Sequence, residues 1–274
     1  MYIISAVVDQ KQTEVALYDK EYRLLLKKAG AAADLSKLCQ DLITEGKIAL
    51  NDVAYAGVAV DAAAGNPDAV AAELGKAIGV KCHATSLMGA KALGEAYAAN
   101  DVDSLFLLKI EDAVDCGVVI DKKLYAGTHL RGGNVAHTVI SSGGFECACG
   151  NRGCFQAYAC NAGLRRIAAE AGVEGAETLT HKALFDMNTP SAEQAKETYV
   201  KYLAGGITNL INLFQLREFV IEGSLVEAGD KLMTPMMDII LRDQFTHNMP
   251  NKCNVRFSEN AEDTALIGAA LLGR

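Results

Sequence analysis

The chemistry that this sequence most directly suggests is metal binding by cysteine. Cys147, Cys149 and Cys154 fall within the segment FECACGNRGCFQAY, and two of the four residues between the second cysteine and the third are glycines. Zinc is held by thiolates and imidazoles in a closed tetrahedron, and glycines allow a backbone to wrap tightly around an ion. Three of four ligands are therefore present, and His137, upstream of Cys147, could be the fourth.

The spacing favours a structural zinc site, although two alternatives stay open. A C-x-C-x4-C run with a single histidine differs from the paired C-x-x-C pattern of zinc fingers. The alternatives are unligated thiols in a glycine-rich turn and a redox pair. Because an ion with four protein ligands has no open coordination position, we expect this zinc to hold a loop in place and not to perform catalysis.

The composition limits the classes of function. The chain has 274 residues, a formal net charge of −8 and 22% charged residues, which is enough for one large domain or two moderate lobes. An acidic chain without a basic block is a poor candidate for direct binding to nucleic acid or to anionic membranes. No apolar run has the length of a membrane span, and MYIISAVVDQ at the N-terminus is not a signal peptide pattern. These features predict a cytoplasmic protein.

The other cysteines and histidines receive structural interpretations. In a cytoplasmic protein, eight cysteines indicate metal ligands or buried thiols and not a disulfide framework. The cysteines outside the cluster are predicted to be small buried residues: Cys39, Cys82, Cys116, Cys160 and Cys253. The histidines other than His137 show no pairing at ligand spacing and are predicted to be surface or loop residues: His83, His129, His181 and His247.

The elements that must position these residues occur in two similar series. Apolar, β-branched segments around short polar turns predict a meander of strands at the start of the chain, and the same pattern returns from residue 104. Helices and buried strands alternate after each meander. The two series, near residues 2–85 and 104–224, predict two lobes, and ligands usually bind in the cleft that such lobes enclose.

The residues around the cysteine cluster resemble a family signature. GGNVAHTV followed by CACGNRGCFQAY is similar to the ROK family (repressors, open reading frames and sugar kinases), whose members show G-E-x-G-H and then C-x-C-G-x-x-G-C-x-E. KLYAG, NLINLFQLREFVIEGS and ALIGAALL extend the resemblance over nearly the whole chain. The resemblance implies an α/β fold of the actin-like ATPase class (ribonuclease H-like, hexokinase-like), in which two lobes repeat a meander plus helices and a zinc ion pins one loop.

The resemblance also implies a site and partners. It places a carbohydrate site beside the zinc loop at 137–154 and Mg-ATP in the cleft between the lobes, and it implies a homodimer. On this basis the small N-terminal lobe is predicted to comprise residues 1–107 and 264–274, and the large C-terminal lobe residues 108–263.

The first phosphate turn of the family, D-x-G-G-T, is altered in this chain. The corresponding residues are DQKQT, so Asp9 and Thr13 are kept, whereas Lys11 and Gln12 replace both glycines. Longer side chains obstruct the approach of a phosphate to backbone N–H groups. Lys11 could supply a positive charge instead, and the alternative without a ligand is an exposed hairpin turn.

The second phosphate turn, roughly G-T-G-x-G-x-G in the family, keeps one glycine. Here it is EDAVDCG, from Glu111 to Gly117, and three carboxylates stand where phosphates should lie. Like charges repel unless a cation such as Mg²⁺ intervenes, and the interpretation we favour is a solvated acidic turn. Gly223, in the glycine turn after a strand at 217–225, is the remaining nucleotide candidate. The two turns argue against tight binding of Mg-ATP.

The catalytic base of the family is also missing. Its N-D pair corresponds to Thr85 and Ser86, between the strand VKCHAT and the helix LMGAKALGEA. A serine hydroxyl cannot serve as a base near neutral pH, and loss of a base typically costs roughly 10²–10⁴-fold in rate. Asp61 and Glu95 are the nearest carboxylates in the sequence that could replace it.

The sugar contacts of the family are partly kept. Asn134 and Gln156 stand where the family has glutamates, and amides still form hydrogen bonds with hydroxyl groups. His137 could touch a ligand while it binds zinc, and Thr85 is the other candidate for ligand binding. The loop DAAAGNP after the strand at 53–61 is short, which indicates that one wall of the usual pocket is missing.

Three functional hypotheses follow. The first is a ROK-family sugar-kinase homologue that is impaired in phosphoryl transfer and binds or senses a sugar-like ligand, because several parts of the kinase site fail while the folding elements persist. The second is an active ATP-dependent hexose kinase, similar to glucokinases, with a displaced base. The third is a regulator of the repressor branch, for which we expect no direct contact with DNA because a strand, and not a helix-turn-helix, opens the sequence.

Overall fold

The computed structural model describes residues 1–100, 102–127, 134–245, 248, 252–259 and 264–274. Within these residues the chain forms two mixed sheets of five strands each, together with helices, so the fold is α/β as predicted. Four residues discussed above lie outside the described part of the chain: His129, Gly132, Gly133 and His247.

The first sheet combines the opening meander with two parallel strands. Its strands are β1 (Tyr2–Val8), β2 (Gln12–Asp19), β3 (Leu24–Ala31), β4 (Val53–Val60) and β5 (Cys82–Ser86). The order across the sheet is β3-β2-β1-β4-β5, and β4 lies parallel to both β1 and β5. The carboxyl ends of these three strands therefore meet along one edge, where Val60 is paired with both Val8 and Ser86.

The second sheet repeats the topology of the first. Its strands are β6 (Leu105–Ile110), β7 (Val114–Ile120), β8 (Lys123–Leu124), β9 (Glu218–Gly223) and β10 (Asn254–Phe257). The order is β10-β9-β6-β7-β8. Read from the opposite edge, this is the same arrangement of third, second, first, fourth and fifth strand, so the predicted duplication of the meander is confirmed.

Sequence signals at the helix ends explain most of the boundaries. The helices of the described residues are α1 (Leu35–Glu45), α2 (Pro67–Ile78), α3 (Leu87–Ala98), α4 (Phe155–Ala159), α5 (Asn161–Glu170), α6 (His181–Asp186), α7 (Pro190–Phe214), α8 (Asp230–Asp243) and α9 (Thr264–Ala270). Asn66 caps α2 by accepting the N–H of Ala69, and Gly79 ends this helix in the left-handed conformation.

Helix α7 begins at Pro190 because the Thr189 side chain accepts the N–H of Ala192 and proline is favourable at a first helical position. One predicted boundary is wrong. The segment 111–117 is not one turn, since β6 ends at Ile110 and β7 already begins at Val114.

The two faces of the first sheet are covered by different helices. Ile4 and Ala6 of β1 belong to a buried cluster with residues of α1 and α2, whereas Ile3 packs with Leu266 and Ala270 of α9. Alternate residues of a strand point to opposite faces, so the all-apolar sequence of β1 is explained by burial on both sides.

Helices α3 and α9 approach each other at backbone distance. A Cβ atom on Gly268 would lie 1.7 Å from the carbonyl oxygen of Ala90, and one on Gly94 would lie 1.9 Å from that of Thr264. A Cβ atom on Gly57 of β4 would likewise lie 1.8 Å from the carbonyl oxygen of Ala269. Because all three neighbours are backbone atoms, no side chain can move aside to admit a larger residue.

The contacts divide the chain into two compact units. Unit 1 comprises residues 1–105, 117–133 and 259–274, and unit 2 comprises residues 106–116 and 134–258. The lobe boundaries expected from the sequence remain a prediction. In the described part of the chain, no helix combines the length and apolar character that crossing a membrane requires.

Candidate functional site

Unit 2 brings His137, Cys147, Cys149 and Cys154 together. One ligand atom from each residue lies within 4.8 Å of the others, with 3.5 Å between Cys147 Sγ and His137 Nδ1 and 3.6 Å between Cys149 Sγ and Cys154 Sγ. Ligands around a tetrahedral zinc ion, at bond lengths of about 2.0–2.3 Å, are roughly 3.6–3.8 Å apart. The four atoms therefore fit a tetrahedral metal ion such as zinc, bound by His137 through Nδ1.

Backbone bonds and one special glycine give the loop its shape. Val139 and Cys154 form an isolated β-bridge, and the N–H of Gly153 donates to the carbonyl oxygen of Phe145. Gly153 has φ +82°, and a Cβ there would lie 1.7 Å from the carbonyl oxygen of Ser141. A residue with a side chain does not fit this position. Gly153 directly precedes Cys154, whose Sγ lies 3.6 Å from that of Cys149.

An aromatic stack joins the metal-ligand loop to the helices of unit 2. Phe145 stacks on Tyr158 with ring centroids 4.4 Å apart, and Tyr158 contacts Tyr202 of α7 at 4.1 Å. The guanidinium carbon of Arg166 lies 3.9 Å from the centre of the Phe145 ring, a cation–π arrangement. The stack packs the start of the loop against α4 and α7.

Two thiols of the cluster differ in their electrostatic environment. Cys154 is fully buried, and this burial raises the pKa of its thiol to about 12. The N–H of Asn151 lowers the pKa of Cys149. Without a cation Cys154 is a neutral thiol near neutral pH, whereas a bound dication deprotonates a coordinating thiol.

Two of the expected ligand-binding amides lie beside this cluster. Gln156 follows the last cysteine in α4, and its Oε1 accepts the N–H of Val114 at 3.2 Å. Asn134 is exposed and precedes the short 3₁₀ turn that ends at His137. A backbone bond from Phe155 to Thr138 holds the two segments together. Asn134, His137 and Gln156 are therefore neighbours in unit 2.

In the first predicted phosphate turn, the side chain of Asp9 occupies the backbone N–H groups. Asp9 Oδ1 accepts the N–H groups of Lys11 and Gln12, both at 2.7 Å. Thr13 is fully buried, and its hydroxyl donates to the carbonyl oxygen of Ala32. The backbone donors that a phosphate would need are already satisfied by a carboxylate.

The two glycines proposed for the nucleotide site have packing roles. Gly117 lies within β7, where a Cβ would meet the carbonyl oxygen of Met88 at 2.2 Å. Gly223, at φ +111°, would place a Cβ 2.0 Å from the carbonyl oxygen of Ile110. Among the described residues, the cysteine cluster is the one set of three or more His, Cys, Asp or Glu gathered closely enough for a metal ion.

The carboxyl ends of β1, β4 and β5 carry the candidates for a catalytic base in unit 1. Ser86 Oγ accepts the N–H of Gly89 and so caps α3, while Thr85 is buried. Asp61 follows β4 directly, its N–H donates to the carbonyl oxygen of Val8 and its carboxylate accepts the N–H of Ala63. Asp61 therefore lies at the strand edge that Ser86 shares, which its sequence position did not indicate.

A comparison with known proteins identifies the family. The sequence model of the ROK family matches residues 58–274, which is most of the chain. The chain belongs to the ROK family. The resemblance at the cysteine cluster and in the segments around it is thereby confirmed.

Among ROK relatives with curated names are both kinases and repressors. A glucokinase of Halalkalibacterium halodurans is 31% identical over 162 residues, which cover 53% of this chain and 49% of that protein. A xylose repressor of Bacillus subtilis is 29% identical over 141 residues, covering 51% of this chain and 36% of the repressor. The chain spans about half or less of the length of these two relatives.

Solved structures of ROK proteins confirm the fold. The ROK hexokinase of Thermus thermophilus superimposes with a TM-score of 0.83 at 20% sequence identity, over 99% of this chain and 97% of the hexokinase. At this identity the comparison concerns the fold alone. The expected actin-like ATPase fold of the ROK sugar kinases is therefore confirmed.

A buried polar network in this ROK chain was not foreseen from the sequence. His181 is 1% exposed, contrary to the predicted surface or loop position. Tyr199 Oη donates to the carbonyl oxygen of Ala159 at 2.7 Å, so it accepts from His181 Nε2 at 2.8 Å. The other ring nitrogen, Nδ1, lies 3.5 Å from Ser224 Oγ.

The same network reaches the acidic residues between β6 and β7. Ser224 Oγ donates to Asn161 Oδ1 at 3.1 Å, and Asn161 Nδ2 donates to Asp112 Oδ1 at 3.0 Å. The N–H of Asn161 also donates to the carbonyl oxygen of Glu111. Since these residues are far apart in the chain, local spacing gave no signal of them. In this ROK protein the second phosphate turn, like the first, is held by protein groups.

The buried histidine predicts a pH dependence of stability. Burial, and then the charge of Arg165, lowers the pKa of His181 from 6.5 to about 4. In the unfolded chain this histidine binds a proton near pH 6.5, whereas in the folded chain it does so only near pH 4. The contribution of neutral His181 to the free energy of unfolding is therefore complete above pH 6.5 and is lost as pH falls to 4. The loss is on the order of 3 kcal/mol.

Denaturant unfolding at several pH values checks this expectation. His181→Gln keeps a donor toward Tyr199 but removes the titration, so its stability should change less than that of the wild type between pH 6.5 and pH 4. His83→Gln is the comparison: burial lowers the pKa of this half-buried histidine as well, so its removal should flatten the wild-type pH slope less than His181→Gln does. Equal pH slopes for the wild type and His181→Gln would contradict the prediction.

Proposed function

We propose that this ROK-family chain binds a monosaccharide-like ligand beside a structural zinc ion and is impaired in phosphoryl transfer from ATP. The zinc ion would be held by His137, Cys147, Cys149 and Cys154 and would contribute rigidity to the loop. Asn134, Gln156 and the outer edge of His137 are the groups proposed to meet the sugar hydroxyls, with Thr85 as a further candidate.

One observation carries the proposal of impairment. The Asp9 carboxylate accepts the two N–H groups of its own turn, from Lys11 and Gln12. A phosphate that approached these donors would have to displace a carboxylate and would be repelled by its negative charge. Asp112, bonded to Asn161 in the acidic turn, supports the same conclusion for unit 2.

The sugar-like ligand is supported by the neighbours of the metal cluster and by the family. Amides both donate to and accept from hydroxyl groups, so Asn134 and Gln156 suit a polyol. A glucokinase and a xylose repressor are among the relatives, and both names refer to a monosaccharide. Sugar recognition is thus the property that the kinase and repressor branches share.

Calorimetry tests both parts of this proposal. Zinc-loaded protein is titrated with Mg-ATP and with a panel of hexoses and pentoses. We expect a sugar to bind and Mg-ATP to bind at millimolar concentration or not at all. Gln156→Ala should weaken sugar binding by about tenfold, which corresponds to one lost hydrogen bond of roughly 1.4 kcal/mol. Gln194→Ala, on the exposed side of α7, is the matched control. Micromolar binding of Mg-ATP would refute the impairment.

A second candidate function is an active sugar kinase that uses Asp61 as its base. The observation that favours it is the position of Asp61, directly after β4 and beside the end of β5 at the sheet edge. An assay for ATP-dependent phosphorylation of the sugars that bind decides the question. If activity is found, Asp61→Asn should lower kcat by at least about 10²-fold, while Asp238→Asn on the exposed face of α8 should not.

The association state and the absence of nucleic-acid binding remain proposals. We propose a homodimer from the family resemblance, to be checked by sedimentation equilibrium. We propose no direct binding to nucleic acid because the formal net charge is −8, which opposes association with phosphate backbones.

A further inference from the structure

A groove on unit 2, separate from the metal cluster, runs between α7 and α8. It has a volume of about 540 Å³, and Phe185 of α6 contributes to its lining. Lys231, Pro235 and Ile239 face it from α8 at intervals of four residues, and Glu197 and Val200 face it from α7. Residues at such spacing share one side of a helix, so each helix presents a continuous face to the groove.

The floor of the groove is apolar. Phe185 is 3% exposed and Val200 is 4% exposed, while Pro235 and Ile239 are only partly covered. A concave surface of this size, with apolar walls and a few polar groups, is typical of sites for small organic molecules. The floor therefore requires a ligand with an apolar body.

The cations at the rim already have partners. Lys196 Nζ bonds the Glu193 carboxylate at 2.7 Å and the carbonyl oxygen of Met187 at 2.5 Å. Lys231 Nζ bonds Asp186 Oδ1 at 2.6 Å. An anionic ligand would have to break these ion pairs, so the rim does not favour one.

One acceptor at the rim is left available. Glu197 lines the groove, and in the described part of the chain its carboxylate has no hydrogen-bond or ion-pair partner. This carboxylate calls for a cationic hydrogen-bond donor on the ligand.

We propose that this groove binds a small organic ammonium ion. The apolar body of the ligand lies on Phe185, Val200 and Ile239, and its ammonium group donates to the Glu197 carboxylate. Lys196 pairs with Glu193, and Asp186 is shared by Lys231 and Lys182. In the described part of the chain, Glu197 is thus the carboxylate that lines the groove without a lysine partner, and the net charge of −8 attracts cations to the protein as a whole.

The probe for the test is the 2-phenylethylammonium ion, with 2-phenylethanol as a neutral analogue of similar size and 3-phenylpropanoate as an anion. Each is titrated calorimetrically into the full chain loaded with zinc. We expect the ammonium to bind at least about tenfold more tightly than the alcohol, because hydrogen bonds to charged groups contribute roughly 1.5–3 kcal/mol. The anion should bind most weakly.

Variants separate the groove from other binding surfaces. Glu197→Gln should abolish the preference for the ammonium over the alcohol, and Glu174→Gln, at an exposed glutamate outside the groove, should leave it unchanged. Ile239→Trp fills the groove from a half-buried position and should abolish binding of both, with an unchanged unfolding transition as evidence that it folds.

Three results would overturn the proposal. The first is equal affinity for the ammonium and the alcohol, or no detectable binding of the ammonium at millimolar concentration. The second is a preference for the ammonium that survives in Glu197→Gln. The third is a dimer in sedimentation equilibrium that Ile239→Trp abolishes, which would assign the groove to a second copy of this chain.

Discussion

Cys154→Ser is expected to abolish metal binding and to lower the melting temperature. The side chain is fully buried and lies 3.6 Å from Cys149 Sγ, and a serine hydroxyl is not a zinc ligand comparable to a thiolate. An ion present at about a thousandfold excess over its Kd stabilises the folded state by about 4 kcal/mol. For a chain of this size, that loss lowers Tm by about 8–16 °C.

The measurement combines zinc content with calorimetric melting. Wild-type protein should hold one zinc ion per chain and should lose the same part of its stability when the metal is removed with a chelator. Cys160→Ser is the matched control, because Cys160 is also buried in unit 2 but lies outside the cluster. If Cys154→Ser kept its zinc, or if the chelator left the melting of the wild type unchanged, the cluster would not be a metal site.

Gly268→Ala is expected to destabilise the protein strongly, although it adds only one methyl group. That group would lie 1.7 Å from the carbonyl oxygen of Ala90 and 2.9 Å from the backbone nitrogen of Gly94. Relief requires α9 to move away from α3, which opens a buried contact. Overpacking of this kind costs on the order of 3 kcal/mol.

The same substitution elsewhere supplies the control with the opposite sign. Gly205 lies within α7, and a Cβ there would meet nothing within 4 Å. Gly205→Ala should therefore stabilise the protein by about 0.5–1 kcal/mol, since glycine is unfavourable in a helix interior. Midpoints of denaturant unfolding for the two variants should shift in opposite directions, and a Gly268→Ala variant as stable as the wild type would refute the close crossing.

Local signals in the sequence were sufficient for most of the fold. Asn66 followed by proline marks the start of α2, and Gly79 marks its end. The repeated meander predicted two sheets of the same topology, which the strand orders confirm. The metal cluster could also be predicted from local signals, because three of its four residues lie in one short segment and the fourth precedes it closely.

Contacts between distant segments explain what the sequence did not reveal. Gly117 was interpreted as a turn residue, but it lies in β7, where the backbone of Met88 in α3 leaves no room for a Cβ. His181 was expected on the surface, yet it is buried against Tyr199 and near Ser224. No rule of short spacing connects such positions. The sequence named Asp61 only as a nearby carboxylate, and the pairing of parallel strands places it at the edge that Ser86 shares.

The aromatic stack beside the metal cluster makes the loop visible to spectroscopy without a label. The chain contains no tryptophan, so its near-ultraviolet absorption comes chiefly from nine tyrosines. Tyr158 is 2% exposed and held between Phe145 and Tyr202, and Phe145 is two residues from Cys147. Near-ultraviolet circular dichroism depends on such fixed packing. The tyrosine band should therefore follow metal loading of the loop, while far-ultraviolet dichroism reports the helices and sheets around it.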